Sequence, residues 1–204
     1  MCSPSAAGPG LAVELSFGGE MNARERKSLS HQLVRAYGAN RNAAKPLRLA
    51  FSSLSEAETL YPDMLPGDGS LQRWAGVERV LERAADHWPA ERLVWLSPDA
   101  EEPLTELSST CTYVVCGLVD RSVASGSSLE RSRAAGGRCR RLPLREHAPR
   151  PDVHPILSVL NVVEILAAVN SGASWSDAIG GTLPKRYIRR REDEEEKRRL
   201  AEQQ

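Results

Sequence analysis

About sixty residues between Leu93 and Leu166 of this 204-residue chain constrain its fold most, because they hold apolar, strand-like stretches that each end in a short polar loop. The four segments are Leu93–Leu104, Tyr113–Ser122, Gly126–Leu144 and His154–Leu166. An open parallel sheet binds its ligands in the crevice outside the carboxyl ends of its strands. We therefore expect the residues that follow these stretches to surround one crevice. They are Ser97, Asp120, Pro143 and the loop before Ile156.

The whole chain alternates strand and helix patterns, which is typical of an α/β domain with a mainly parallel sheet. The predicted strands are Val13–Phe17, Leu47–Phe51, Leu93–Leu96, Tyr113–Val115 and Arg138–Leu142. The predicted helices run from Asn22 to Gly38, from Ser70 to Trp88, around Leu129–Ala135, within Ile156–Val169, and after Ser174. Asn22 is the expected N-cap of the first helix, with Glu25 as its capping partner. Ser70 and Ser174 are the expected N-caps of the second and the last helix.

Composition excludes few function classes. The formal net charge is zero, so any preference for nucleic acid must come from local charge. The four cysteines form no C-x-x-C pair, which favours reduced thiols in an intracellular protein. Every apolar stretch is shorter than the roughly 20 residues that span a bilayer, and the first ten residues resemble neither a signal nor a transit peptide. We expect a protein of the cytoplasm or nucleus that uses neither a membrane nor a metal.

The chain divides into three predicted segments. Residues 1–10 are small and rich in Pro and Gly and are expected to be disordered. Residues 11–186 form the α/β domain, and residues 187–204 form a charged, partly helical tail. The region from Pro184 onward carries a basic block before the acidic block Asp193–Glu196. It is interpreted either as a solvated tail or as a segment whose basic half contacts phosphate.

Several common catalytic motifs are missing from the sequence. There is no G-x-G-x-x-G after a strand, no Walker motif and no G-x-S-x-G elbow. An α/β hydrolase would need a nucleophile and a base that the sequence does not offer. His147 and His154 lie in a proline-rich stretch, where histidines are usually loop residues rather than metal ligands.

Seven ordered motifs resemble the SPOUT class of methyltransferases and, within it, the tRNA guanine-N1 methyltransferase family that modifies position 9. They are Gln32–Arg41, Leu93–Asp99, Cys116–Ser122, Ser125–Ser127, Arg141–Pro143, His154–Leu166 and Leu183–Arg186. The resemblance extends from about Leu15 to Arg186. It implies a parallel sheet with helices on both faces, a C-terminal trefoil knot and a monomer.

The resemblance also implies a site for S-adenosylmethionine in the knot. Backbone groups of three loops hold the adenosine in this family, so small or apolar side chains suffice there. The matching residues here are Leu96, Ser97, Cys116, Gly117, Ser125, Gly126, Arg141, Leu142, Leu144, Ile156, Leu157 and Leu160.

Asp120 is the candidate catalytic residue. Guanine N1 carries a proton at neutral pH, and a carboxylate within hydrogen-bond reach can accept that proton as the methyl group transfers. Two other interpretations stay open: Asp120 caps the next turn or pairs with Arg121, or it orients the base without taking the proton.

A basic helix face and the loop after it are the candidate tRNA contacts. Such contacts are electrostatic and position the substrate without reading its sequence, although basic residues on an exposed helix are often only solvated. The candidate residues are Arg24, Lys27, Gln32, Arg35, Arg41, Lys45, Arg121, Lys185 and Arg186. A target base within folded RNA must leave its stack to reach the methyl donor.

The chain departs from the family pattern at four positions. Cys116 replaces a glycine, Ser122 an asparagine and Ser125 a lysine, and Leu160 stands where a polar residue is expected. These departures leave three hypotheses besides an ordinary enzyme: a weaker one, one that prefers adenine, and a non-catalytic relative that binds RNA as a scaffold. The sequence does not distinguish guanine from adenine, nor one tRNA from another.

Overall fold

The computed structural model describes residues 8–67, 69–119, 130, 136–149 and 157–183. The strands in these ranges are β1 (Gly10–Glu14), β2 (Arg48–Ser52), β3 (Val77–Arg79), β4 (Leu93–Leu96), β5 (Thr112–Cys116) and β6 (Arg138–Arg140). The α-helices are α1 (Ala23–Arg41), α2 (Leu54–Leu60), α3 (Ser70–Arg73), α4 (Ala84–His87), α5 (Leu144–His147), α6 (Val159–Asn170) and α7 (Trp175–Thr182). Short 3₁₀ turns cover Gly18–Glu20, Pro62–Met64 and Ala90–Arg92.

These strands form one sheet in the order β3-β2-β1-β5-β4-β6, and every pairing is parallel. The predicted α/β class with a parallel sheet is therefore confirmed. The chain between β5 and β6, and between α5 and α6, lies largely outside the described residues. The trefoil knot, which depends on that path, stays a prediction, as does the division into three segments.

The central strands are buried on both faces, as parallel strands usually are. All five residues of β1 are buried, and so are all four of β4. The prediction of β1 at Val13–Phe17 is wrong by three residues, because the ladder with β2 and β5 begins at Gly10 and ends at Glu14. Gly10, the last residue of the segment predicted to be disordered, thus lies in the sheet.

Helix α1 begins as predicted and ends later than predicted. Asn22 accepts a hydrogen bond from the Glu25 backbone N–H while the Glu25 carboxylate accepts one from the Asn22 N–H, so the capping box is confirmed. The helix continues past Gly38 to Arg41. The Asn40 side chain donates to the Leu47 carbonyl and accepts from the Leu47 N–H, which ties this last turn to the start of β2.

The single helix predicted from Ser70 to Trp88 is wrong. The chain forms α3, β3 and α4 in this region, and Gly69 rather than Ser70 occupies the N-cap of α3. Gly76 has a φ of 73°, a left-handed conformation that interrupts a helix and that glycine adopts without strain. Val77–Arg79 then pairs with β2 at the sheet edge, so strand pairing prevails over the helical spacing of the apolar residues.

Helices cover both faces of the sheet. Leu11, Val13, Leu49 and Phe51 belong to the large cluster that α1 and α6 bury on one face. The other face of the sheet carries Ala12, Ala50 and Val114. These residues pack against Trp95 of β4 and Ala84 of α4. The predicted buried helix within Ile156–Val169 is observed as α6, with Ser158 as its N-cap, and Ser174 caps α7 as expected.

Candidate functional site

The carboxyl ends of β1 and β5 meet where the strand order reverses, since the chain leaves β1 toward β2 on one side and leaves β5 toward β6 on the other. Such a switch point is where open α/β sheets bind ligands. Glu14 is paired with Cys116 here, and the Gly117 N–H donates to the Glu14 carbonyl at 2.8 Å. A Cβ atom on Gly117 would lie 2.9 Å from that carbonyl oxygen. Gly117 thus lets the two strand ends approach each other. This close approach explains the glycine without a bound ligand.

The Glu14 carboxylate lies buried beneath this point, and the sequence analysis did not identify it. Its side chain is 2% exposed. The Ser16 N–H, the Ala84 N–H and the hydroxyls of Ser52 and Ser53 all donate to its two oxygens. This arrangement matches the roughly four acceptor sites of a carboxylate, and it joins the ends of β1 and β2 to the start of α4.

Ser53 adopts a left-handed conformation, with a φ of 59°. Non-glycine residues adopt this region at a cost of order 1–3 kcal/mol and keep it only where neighbours hold them. Here the Ser53 hydroxyl donates to Glu14 and its backbone N–H donates to the Glu82 carbonyl at 2.6 Å. A lone acidic residue in the apolar strand Leu11–Leu15, together with Ser52-Ser53 after the next strand, was the signal available in the sequence.

Nine of the twelve predicted cofactor residues lie in the described ranges, and six of them belong to or pack against two apolar clusters. Leu96 and Leu160 belong to the large apolar cluster, and Cys116, Leu142 and Leu157 pack against it. Leu144 lies in a second cluster, which Leu142 and Leu157 join to the first. Ser125, Gly126 and Ile156 lie outside the described residues, as does Asp120.

Ser97 and Arg141 already use most of their hydrogen-bonding groups within the protein. Ser97 donates its backbone N–H to Arg140 and accepts from the N–H groups of Asp99 and Ala100. The backbone of Arg141 bonds to Glu102 and Leu104. The structure therefore shows that both residues hold loops together, and their contact with a cofactor stays a prediction.

The guanidinium of Arg141 is nearly buried and donates two hydrogen bonds, of 2.8 and 2.7 Å, to the Glu146 carboxylate. This paired donation, with a smaller effect of the positive charge, lowers the pKa of Glu146 below its usual range, and burial opposes it. The same hydrogen bonds raise the pKa of Arg141, which stays protonated. The pair attaches α5 to the loop that follows β6.

We expect Glu146→Gln to lower the free energy of unfolding near neutral pH by about 1 kcal/mol, because Glu146 is partly exposed and solvent screens the pair. A carboxylate whose pKa is depressed by folding stabilises the protein above its unfolded pKa and loses that effect as the pH falls through the folded pKa. The difference between variant and wild type should therefore shrink in acid. Urea unfolding between about pH 3 and about pH 7 measures it. A constant difference across this range would contradict the assignment, and Glu58→Gln, an exposed site on α2, is the control.

Four basic side chains form an exposed stripe along α1, at spacings of three, four and four residues. They are Arg24, Lys27, His31 and Arg35, and we call them the basic stripe. Arg41, at the end of the helix, lies about 9 Å beyond Arg35 along the helix axis. Lys45 lies beside the C-terminus of α6, where the Asn170 side chain donates a hydrogen bond to the Lys45 carbonyl at 2.6 Å. Because α1 runs antiparallel to the strands, Arg41 and Lys45 lie at the amino edge of the sheet. The structure thus separates them from the predicted crevice.

A groove between α1, α6 and α7 brings two predicted sets together. Gln32 and Arg35 of the predicted tRNA contacts line it opposite Leu160 of the predicted cofactor residues. Asn161 and Glu164 of α6 and Thr182 of α7 complete the walls. We call this the α1–α6 groove. His31 joins it to a second groove, which Lys27 and Val34 of α1 form with the loop around Leu65.

Within the described ranges no group of three or more His, Cys, Asp or Glu side chains is placed to hold a metal ion. None of the described helices combines the length and the apolar character that crossing a membrane requires. Arg121, Lys185 and Arg186, predicted to contact tRNA, lie outside the described residues.

Comparison with known proteins gives a consistent result. The family model described as tRNA (guanine(9)-N(1))-methyltransferase TRM10/TRM10A matches residues 3–188. The chain is 30% identical over 189 residues to the tRNA methyltransferase 10 homolog B of Rattus norvegicus, covering 89% of this chain and 60% of that protein. It is 30% identical over 181 residues to the Trmt10A tRNA (guanine(9)-N(1))-methyltransferase of Drosophila melanogaster, covering 88% and 56%. The chain thus spans less than two thirds of the length of these relatives.

Among solved structures, the complex of full-length spTrm10 with SAH resembles this fold with a TM-score of 0.73 at 23% identity. The match covers 87% of this chain and 96% of that one. At this identity the likeness establishes the fold.

Proposed function

Because this chain belongs to the TRM10/TRM10A family of tRNA (guanine(9)-N(1))-methyltransferases, we propose that it transfers a methyl group from S-adenosylmethionine to N1 of the purine at position 9 of tRNA. Guanine is the proposed base. The single observation that carries this proposal is the α1–α6 groove, which joins Gln32 and Arg35 to Leu160. A groove lined by residues of both predicted sets supports an arrangement in which the RNA lies next to the proposed methyl donor.

The residues at the carboxyl edge of the sheet fit the proposed cofactor. Leu96, Leu142 and Leu157 supply an apolar surface suited to an adenine ring, and backbone groups of the loops there can read its polar edge. S-adenosylmethionine, when bound, supplies a methyl group on a positively charged sulfur. That spTrm10 was solved with SAH, the form left after methyl loss, supports this cofactor.

Asp120 is the proposed general base. It follows Leu118 and Val119, the last described residues after β5. As the bond between methyl and sulfur breaks, a bond forms from the methyl carbon to guanine N1, and the N1 proton passes to a carboxylate oxygen of Asp120. In the alternative that the sequence left open, Asp120 orients the base and solvent takes the proton.

The basic stripe is the proposed surface for tRNA phosphates near the target base. Arg24, Lys27 and Arg35 lie toward the groove end of α1, whereas Arg41 at the end of this helix and Lys45 in the segment after it would meet RNA further from the groove. Arg121, Lys185 and Arg186 are proposed as additional contacts. We further propose a monomer that acts in the cytoplasm or the nucleus.

Two measurements on the full chain test this proposal. We expect calorimetric titration to show S-adenosylmethionine binding, and mass spectrometry of tRNA treated with labelled methyl donor to show N1-methylguanosine at position 9. A transcript with cytidine at that position is the control. N1-methyladenosine alone would reassign the base, and tRNA binding without cofactor binding would replace the enzyme with a scaffold.

A further inference from the structure

The two walls of the α1–α6 groove differ in what they offer to a ligand. Arg35 on the α1 wall is exposed and cationic, whereas Glu164 on the α6 wall is half-buried and anionic. Gln32 also lies on the α1 wall, and its Oε1 atom is buried without a hydrogen-bond partner among the described residues. Because that atom is buried, the charged acceptor that the groove offers to an incoming donor is the Glu164 carboxylate on the α6 wall.

A network at the start of α6 orients the Asn161 amide beside the Glu164 carboxylate. The Ser158 hydroxyl donates to Asn161 Oδ1 at 2.7 Å and accepts from the Asn161 N–H at 3.2 Å. With its oxygen held this way, the Asn161 amide directs its Nδ2 toward Glu164 Oε2 at 3.5 Å, the limit of a hydrogen bond. No cation of the described ranges lies within salt-bridge distance of Glu164. The carboxylate thus has one long contact with the described residues, and most of its acceptor capacity is left for a ligand.

The purines differ in the donors that they offer to such a wall. Guanine carries a 2-amino group beside N1, and adenine carries no donor there. We propose that Glu164 selects guanine by accepting a hydrogen bond from this 2-amino group, which adds a specificity-determining residue and rests on the proposed methyltransferase function. Leu160, which is apolar and 5% exposed, offers no hydrogen-bonding side chain to the base on this wall. Guanine N1 stays open to the methyl donor because only the neighbouring amino group is held.

Inosine tests this contact because it is guanosine without the 2-amino group. Wild-type protein should bind tRNA with guanosine at position 9, and methylate it in single turnovers, about 10–100-fold better than tRNA with inosine there, the range of a hydrogen bond to a charged group. Glu164→Ala should reduce this ratio to about one. Glu164→Gln keeps a carbonyl acceptor and the contact with Asn161, so it should retain a ratio of roughly 2–10.

The control is Glu58→Gln on α2, an exposed position outside both grooves, which should keep the wild-type ratio. Equal use of guanosine and inosine by the wild type would overturn the assignment, and so would an undiminished ratio in Glu164→Ala. Absence of methylation on either RNA would instead count against the proposed enzyme. The guanosine-to-inosine ratio in binding would then decide whether Glu164 reads the amino group.

Discussion

Replacing Glu14 with alanine is expected to lower the free energy of unfolding by about 3–5 kcal/mol. The substitution leaves four donors beneath the sheet edge without their acceptor, and each unsatisfied buried donor costs about 1–3 kcal/mol before the structure relaxes. It also releases Ser53, whose left-handed backbone depends partly on the Glu14 contact. For a chain of this size the loss corresponds to a fall of roughly 8–15 °C in Tm.

Urea unfolding followed by circular dichroism measures the loss. Glu14→Gln keeps one acceptor oxygen but turns an N–H₂ group toward the remaining donors, so we expect about half the loss of the alanine variant. Glu58→Ala, at an exposed site, should stay within about 0.5 kcal/mol of the wild type. A Glu14→Ala midpoint equal to that of Glu58→Ala would refute the anchoring role of this carboxylate.

The largest expected effect on activity belongs to Asp120→Asn. Loss of the proposed base should lower the single-turnover rate of methyl transfer to guanosine by about 10²–10³-fold, within the range of general base catalysis. Affinity for S-adenosylmethionine should stay within about twofold of the wild type, because the carboxylate is proposed to face the purine. The residual rate should rise with pH, since the N1 proton must then leave to solvent.

Rapid-quench assays with labelled methyl donor, over a series of pH values, measure both properties. Asp86→Asn, an exposed aspartate in α4, is the matched control and should behave as wild type. A rate loss with an unchanged pH profile would favour an orienting role. A tenfold loss of cofactor affinity without a slower transfer step would place Asp120 on the donor side instead.

The parts of the fold that were predictable are those that local chemistry fixes. The capping box at Asn22 and the buried strands Leu93–Leu96 and Thr112–Cys116 depend on adjacent residues and on apolar runs. The region from Ser70 to Trp88 was not predictable in this way. Its apolar residues have helical spacing, but Val77–Arg79 adds a strand to the sheet edge, a long-range pairing that a local pattern does not contain.

The sequence predicts the apolar character of several candidate site residues, and their contact with a cofactor stays a prediction. Leu96 belongs to the large apolar cluster, and Leu142 and Leu157 pack against it. Arg141 was predicted to hold the cofactor through its backbone, and the pairing of its guanidinium with Glu146, five residues later and in a different element, was not predicted. Glu14 was missed because most of the groups that donate hydrogen bonds to it are distant in the sequence. They belong to Ser52, Ser53 and Ala84 and lie close to Glu14 only in the folded chain.

The pairing of β1 with β5 has a consequence for how the chain reaches its native state. Gly10 is aligned with Thr112, so the middle of the sheet forms only after a loop of about 100 residues closes. Closing a loop of this length costs about 4 kcal/mol of free energy, because chain entropy is lost before the strand contacts form. During synthesis on the ribosome, one edge of β1 therefore stays unpaired until β5 has emerged. We expect chaperones to bind the nascent chain mainly in that interval.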